Sequence, residues 1–176
     1  MIFSYTNMRC FLYMQTVEYN REKAKEYAKK WAYQRNPSYY NYDAIGGDCT
    51  NFVSQCIFHG CNTMNYNPNG WYYKNANDKT PSWTGVEFLA KFLLNNKSVG
   101  PFASLVEIEK IKIGDIVQLS FDGEVFGHSL IVVDKLQNDL DSIFVATHTF
   151  DSFGRKVSTY NYIKHRFLHI EGIRKW

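Results

Sequence analysis

In the first half of the chain, apolar residues recur at the spacing of three and four that is typical of amphipathic helices. One such stretch begins after Asn20, a residue type that caps helix N-termini, and continues to about Tyr33. Asn36-Pro37 then ends it. A second stretch runs from Cys49 to His59-Gly60, where Gly60 has the position of a C′ glycine. Its apolar stripe consists of Cys49, Phe52, Val53, Cys56 and Ile57.

A third helix is predicted after a capping box at Thr84-Gly85-Val86-Glu87 and extends to Asn95-Asn96. The segment between the second and third helices, residues 61–83, is rich in Asn, Gly, Pro, Asp and Lys and is predicted to be an irregular loop. Its aromatic residues favour a packed loop that lines a substrate site over a disordered one.

Beyond a predicted turn at Gly100-Pro101, the apolar period changes from 3.6 to 2, which indicates strands. Residues 113–119 are predicted to form a turn and then a strand, and further strands are predicted at 128–133, 142–148, a short one at 157–160, and 165–173. A hairpin turn is expected at 121–124. Helices followed by strands predict an α+β domain in which the N-terminal helices pack on an antiparallel sheet.

The 176 residues suit one domain, with residues 1–18 as an N-terminal extension and 19–176 as the domain. The chain has no run of about 18 apolar residues, so no membrane span is predicted. Residues 1–19 lack the pattern of a signal peptide. The default expectation is therefore a cytoplasmic protein, with the cell envelope or secretion as the alternative.

Composition narrows the function classes. With 20 basic and 17 acidic residues, the net charge of +3 argues against nucleic-acid binding. The four cysteines form no CxxC pair, so a structural zinc site is not expected, and no metal or other cofactor is predicted. Aromatic residues make up 17%, which suits either a groove for peptides or glycans or a Tyr-rich core. Trp71, Tyr72 and Trp83 are the candidate substrate-binding residues.

Cys49 is the candidate nucleophile. It follows Gly46-Gly47-Asp48, and Asp48 is a candidate N-cap, so the sulfur lies near the free amides of the first helical turn. These amides and the helix dipole favour thiolate over thiol and lower the pKa of such a cysteine. The Asp48 carboxylate acts in the opposite direction. The alternative is a buried, unreactive cysteine.

A thiol hydrolase also needs an imidazole base and a polar group that orients it. His128 opens a predicted strand after the flexible Gly127 and is the candidate base. His148, at the end of the next strand, and Asp151 are the alternative orienting groups. Tyr42 is a candidate second oxyanion donor or a packing residue. His165 and His169 share one strand face and are predicted to be structural rather than metal ligands.

Several segments together resemble the bacterial putative amidase domain family over about residues 19–174. The most specific is Gly46-Gly47-Asp48-Cys49-Thr50-Asn51-Phe52-Val53-Ser54-Gln55. The others include Trp31-Ala32-Tyr33, Gly70-Trp71-Tyr72-Tyr73, Ser82-Trp83-Thr84-Gly85, Gly114-Asp115-Ile116-Val117-Gln118-Leu119, His128-Ser129 and Thr147-His148-Thr149. More distantly, the Cys49 block is similar to NlpC-type and CHAP cell-wall cysteine peptidases. The resemblance implies a papain-like fold with Cys49 as nucleophile, His128 as base and His148 as the third member.

The resulting hypothesis is a cysteine-dependent amidase or peptidase with a Cys-His-His or Cys-His-Asp site. The expected substrate is a peptide or peptidoglycan. A catalytically inactive glycan- or peptide-binding module and a related thiol acyltransferase are the alternatives. The sequence gives no indication of oligomeric state.

Overall fold

The computed structural model describes residues 13–176, and its helices precede most of its strands. The helices of this part are α1 (Arg21–Trp31), α2 (Cys49–Cys61), α3 (Pro81–Thr84) and α4 (Val86–Asn95). The strands are β1 (Gln15–Val17), β2 (Tyr73–Asn75), β3 (Asp78–Lys79), β4 (Gly100–Val106), β5 (Ile116–Ser120), β6 (His128–Lys135), β7 (Ile143–Thr147), β8 (Ser152–Lys156) and β9 (Lys164–Lys175). Short 3-10 turns lie at Ile108–Lys110, Leu140–Ser142 and Val157–Thr159.

Seven of these strands form an antiparallel sheet in the order β1-β9-β5-β6-β7-β8, with β4 also paired to β9. The long strand β9 therefore joins the two parts of the sheet. β2 and β3 form a separate hairpin. The predicted α+β class with an antiparallel sheet is confirmed.

Two hydrophobic clusters cover the two faces of the sheet. Successive side chains of a strand point to opposite faces, and β6 shows this alternation clearly. Ile131 and Val133 belong to the cluster that includes the buried faces of α1, α2 and α4. Leu130 and Val132 belong to the second cluster, with Val157 and Tyr160. α2 is thus held against the middle of the sheet, where β6 begins.

α1 has the predicted N-cap, because Asn20 Oδ1 accepts a hydrogen bond from the Lys23 amide at 2.9 Å. The helix ends at Trp31, two residues before the predicted end. No helix within residues 13–176 is long and apolar enough to cross a bilayer.

The prediction of Gly60 as a C′ residue was wrong. α2 continues to Cys61, and Asn62 is the left-handed cap with φ 46°. A Cβ on Gly60 would lie 2.8 Å from the Asn20 carbonyl oxygen, so glycine permits the close approach of α2 to the start of α1. The predicted capping box before α4 is also absent, since the N-cap is Gly85 and no side chain caps this end.

The strand predictions were incomplete at the sheet edges. The segment 157–160 forms a 3-10 turn rather than a strand, and the strand beside it is β8. Gly100-Pro101 begins β4 instead of forming only a turn. Within residues 61–83, the β2–β3 hairpin and α3 replace the expected irregular loop.

The boundary proposed between an extension at 1–18 and a domain at 19–176 stays a prediction. β1, inside the proposed extension, pairs with β9. The remainder of that segment, residues 1–12, lies outside the described residues.

Candidate active site

Cys49 is the first residue of α2 and is 7% exposed. The preceding Asp48 occupies the N-cap position, where its carbonyl oxygen accepts from the Phe52 amide at 2.9 Å. Cys49 Sγ lies 3.7 Å from Thr50 Oγ1, and Thr50 Oγ1 lies 3.0 Å from Ser129 Oγ. Thr50 therefore connects the sulfur to β6 at the residue directly after His128.

The environment of Cys49 favours the neutral thiol. Burial raises the pKa of Cys49 above its ordinary value of 9.0, and the nearby Asp48 carboxylate adds to this increase. Hydrogen bonds from Ser129 and Thr50 lower the pKa but do not reverse its direction. The expectation of a lowered pKa at the helix N-terminus was therefore wrong, because the cost of desolvating the thiolate is larger than the effect of the helix end.

His128 is the first residue of β6 and is 7% exposed. Burial, and then the positive charge of Arg155, lower the pKa of His128 from 6.5 to about 4. Its ring centroid lies 6.1 Å from that of Phe121 and 6.2 Å from that of Tyr160. The imidazole is neutral at pH 7 and can accept a proton.

His148 does not bond to His128. His148 Nδ1 lies 2.6 Å from Asp48 Oδ2, and Nε2 lies 2.9 Å from the Trp31 carbonyl oxygen. Both partners are acceptor oxygens, one of a carboxylate and one of the backbone. The expectation that His148 orients His128 is thus contradicted by the contacts of both of its ring nitrogens.

The Asp48 carboxylate connects the start of α2 to neighbouring segments of the chain. Asp48 Oδ1 accepts from the Tyr42 amide at 3.0 Å and from Asn51 Nδ2 at 2.8 Å, and no hydrogen bond from its side chain caps the helix. Together with His148, these contacts hold the loop before α2, the first turn of α2 and the end of β7 around one buried side chain.

Asp151, the rival orienting group, is also bonded elsewhere. Its two oxygens accept from Arg35 Nη1 and Nη2, each at 2.9 Å, and Arg35 also binds Asp43. Between His148 and Asp151, Thr149 and Phe150 have φ values of 64° and 65°. This backbone conformation is strained, especially for the β-branched Thr149. The contact of His148 with Asp48 holds one end of this turn, and the ion pair of Asp151 with Arg35 holds the other.

Tyr42 is buried at 8% exposure, and its hydroxyl is the buried side-chain oxygen or nitrogen that lacks a hydrogen-bond partner within residues 13–176. Burial raises the pKa of Tyr42 to about 12, so the hydroxyl keeps its proton at neutral pH. An unpaired buried hydroxyl costs about 1–3 kcal/mol. The bond between the Tyr42 amide and Asp48 ties this donor to the residue before Cys49.

The predicted substrate-binding role of Trp71 and Trp83 is not compatible with their positions. Both side chains are 0% exposed, and their indole N–H groups donate to Ser54 Oγ at 3.1 Å and Asn51 Oδ1 at 2.9 Å. They pack against the polar side of α2 as part of the core. Tyr72 is partly exposed, and its hydroxyl donates to Asp78 at 3.0 Å.

Among the other histidines, His169 Nδ1 lies 2.6 Å from Asp115 Oδ2, and Arg21 binds the other oxygen of Asp115. These contacts connect β9 and α1 to the start of β5. No group of three or more His, Cys, Asp or Glu side chains suited to a metal ion occurs within the described residues.

Two further residues, Thr147 and Arg35, were not predicted from the sequence to take part in the site. Thr147 Oγ1 lies 3.5 Å from His128 Nε2, and Arg35 supports the turn through Asp151. Neither residue carries a local sequence signal, because its contacts depend on how distant segments meet in the fold.

Comparison with known proteins gives one family match and one related protein. The family model described as a putative amidase domain matches residues 18–171. The chain is 33% identical over 139 residues to the uncharacterized protein YhbB of Bacillus subtilis (strain 168), a match that covers 77% of this chain and 43% of that protein. The chain thus spans less than half the length of that relative. No solved structure matches the chain.

Proposed function

Because the chain belongs to the putative amidase domain family, we propose that it is a cysteine-dependent amide hydrolase with Cys49 as nucleophile and His128 as base. The observation that supports this assignment is a short series of contacts: Cys49 Sγ lies 3.7 Å from Thr50 Oγ1, which lies 3.0 Å from Ser129 Oγ. The nucleophile candidate is thereby connected to the residue next to the base candidate. A neutral thiol and a neutral imidazole are the reactant forms that general-base catalysis requires.

In the first step, the Cys49 sulfur attacks the amide carbonyl carbon, and its proton moves to His128 as the C–S bond forms. The carbonyl oxygen becomes an oxyanion. This proton transfer requires the Cys49 sulfur and the His128 imidazole to come within hydrogen-bond reach, and catalytic hydrogen bonds often tighten in the reactive complex.

The tetrahedral intermediate then collapses. The C–N bond breaks, His128 gives its proton to the leaving amine, and a thioester on Cys49 remains. In the second half, water attacks the thioester carbon and passes a proton to His128. The C–S bond breaks, the carboxylic acid leaves, and the sulfur takes the proton back.

Two donors are proposed for the oxyanion. The first is the Cys49 backbone amide, which is one of the free amides at the start of α2. The second is the Tyr42 hydroxyl. Its buried, unpartnered state supports this role, because an unpaired donor is free to bind the charge that develops in the transition state.

The proposed substrate is a peptide or the peptide part of peptidoglycan, and the proposed architecture is papain-like. The buried positions of Trp71 and Trp83 leave Tyr72 as the member of the predicted aromatic set that has an accessible face. Tyr72 is therefore the remaining candidate for substrate contact from that set.

The test is turnover of peptidoglycan fragments and peptide p-nitroanilides by the wild-type chain, Cys49→Ala and Cys61→Ala. Cys61 is a buried cysteine at the opposite end of α2, so its variant controls for the loss of a buried thiol. We expect turnover in the wild type and Cys61→Ala but not in Cys49→Ala. Retained turnover in Cys49→Ala contradicts the proposal. Binding without turnover in every variant indicates an inactive binding module, and a product that carries an added amine indicates acyl transfer.

A further inference from the structure

Thr147 is the last residue of β7 and is 0% exposed. Its hydroxyl oxygen lies 2.9 Å from the Ser129 carbonyl oxygen and 2.8 Å from the His148 carbonyl oxygen. The same oxygen lies 3.5 Å from His128 Nε2. The hydroxyl is therefore placed between two backbone carbonyls and the imidazole of the candidate base.

The direction of the hydroxyl proton decides the role of Thr147 toward His128. A threonine hydroxyl has one proton and two acceptor lone pairs. Both nearby carbonyl oxygens only accept, and both are closer than the imidazole, so the proton is directed to a carbonyl. The face toward His128 Nε2 then presents a lone pair. Only a protonated Nε2 makes a favourable contact with that lone pair.

A neutral imidazole carries one proton, and burial keeps His128 neutral because it lowers the pKa of this residue to about 4. When Nε2 holds the proton, Nδ1 presents its lone pair and is the basic nitrogen. The side chains expected to orient His128 are engaged elsewhere, His148 with Asp48 and Asp151 with Arg35. Thr147 contacts Nε2 of His128 in their place.

We propose that Thr147 is a positioning residue that holds His128 in the tautomer protonated at Nε2, with Nδ1 as the atom that accepts the Cys49 proton. The catalytic part of this inference rests on the proposed function, whereas the tautomer is a property of the fold alone. The branched Thr147 side chain is suited to the role, because its χ1 angle is restricted and its hydroxyl is fixed between the two carbonyls.

The matched variants are Thr147→Val, which keeps the shape but removes the hydroxyl, and Thr147→Ser, which keeps the hydroxyl. Thr80→Val is the control for loss of a buried threonine hydroxyl. Thr80 is 3% exposed and bonds to Tyr72 and Ser82, apart from the contacts of His128.

The direct readout is the two-bond ¹H–¹⁵N spectrum of the full chain labelled in histidine, with His128 assigned by its loss in His128→Asn. We expect the Nε2-protonated pattern in the wild type, Thr147→Ser and Thr80→Val, and a shift toward the Nδ1-protonated form in Thr147→Val. A wild-type His128 protonated at Nδ1 overturns the proposal. A folded Thr147→Val whose tautomer is unchanged also overturns it.

The kinetic readout applies to any amide substrate that the wild type turns over. We expect kcat to fall by about tenfold or more in Thr147→Val, with KM little changed, because general-base catalysis loses its oriented nitrogen. Thr147→Ser should restore most of kcat. Equal kcat values in Thr147→Val and the wild type contradict the catalytic part. If the tautomer responds as expected while Cys49→Ala retains turnover, the proposed function fails and the assignment of Thr147 stands.

Discussion

His148 Nδ1 lies 2.6 Å from Asp48 Oδ2, and this buried pair joins the end of β7 to the residue before the candidate nucleophile. Both residues are 1% exposed. The pair connects positions 100 residues apart in the chain. Its effect on Cys49 is therefore one of placement, since it fixes where α2 begins relative to the sheet.

Breaking this buried pair should lower the free energy of unfolding more than breaking an exposed pair. We expect Asp48→Asn and His148→Gln each to lower the free energy of unfolding by about 3 kcal/mol, because the remaining buried side chain loses its short hydrogen bond. In a double-mutant cycle the two losses should not add, with a coupling of about 1 kcal/mol or more. Urea unfolding at pH 7 measures both quantities.

Asp43→Asn provides the control, because its carboxylate is 38% exposed and pairs with Arg35 near the surface. We expect its loss to be below about 1 kcal/mol. Additive losses in the Asp48 and His148 variants would show that the buried pair is not the connection described above.

Tyr42→Phe separates stability from catalysis. Removing an unpaired buried hydroxyl should leave stability unchanged or raise it by about 1 kcal/mol. If Tyr42 donates to the oxyanion, kcat should fall on the order of a hundredfold. Tyr39→Phe is a suitable control, since Tyr39 packs beside Tyr73 and Trp83, against the same core cluster that contains Tyr42. Full kcat in Tyr42→Phe would exclude the hydroxyl as an oxyanion donor.

The lowered pKa of His128 predicts a stability change at acidic pH. Between pH 6.5 and 4 the unfolded chain protonates this residue and the folded chain does not, so folding loses stability as pH falls through this range. The shift from 6.5 to about 4 corresponds to about 3 kcal/mol in total. The stability is fully present above pH 6.5.

Replacement of His128 by Gln removes this titration. Urea unfolding of the wild type and His128→Gln at several pH values between 7 and 4 should show a steeper loss for the wild type. Parallel pH curves for the two proteins would mean that His128 titrates alike in the folded and unfolded chains.

The raised pKa of Cys49 predicts a slow, base-dependent alkylation. Iodoacetamide reacts with thiolate, so modification of Cys49 at pH 7 should be slow and should accelerate above pH 9. Peptide mass mapping with limiting reagent at a series of pH values measures this dependence. Selective modification of Cys49 at pH 6 would instead indicate a stable thiolate–imidazolium pair.

The sequence was sufficient to predict the two elements that carry the candidate nucleophile and the candidate base. The apolar stripe of α2 and the alternation in β6 are local patterns, and both elements begin at the predicted residues, Cys49 and His128. The edge strands were harder to predict. β4 contains Pro101, and β8 is mostly polar, but among residues 13–176 each pairs with one neighbouring strand only, and proline and exposed polar residues are tolerated in such edge strands.

The contacts of the site could not be deduced from spacing. A histidine after a strand fits an orienting role equally well whether its partner is His128 or Asp48, and only the packing of α2 on the sheet decides between them. The burial of Trp71 and Trp83 has a similar origin. α2 is buried on its polar side as well, where Asn51 and Ser54 bind the two indoles.

The most direct test of the account is whether an acyl group forms on Cys49. The wild-type chain is mixed with peptidoglycan fragments or peptide p-nitroanilides, quenched in acid and mapped by peptide mass spectrometry. The nucleophilic role of Cys49 predicts a hydroxylamine-sensitive acyl adduct on the peptide that contains Cys49, and neither adduct nor turnover in Cys49→Ala. Substrate turnover that continues in Cys49→Ala, or an acyl adduct confined to another residue, would contradict it.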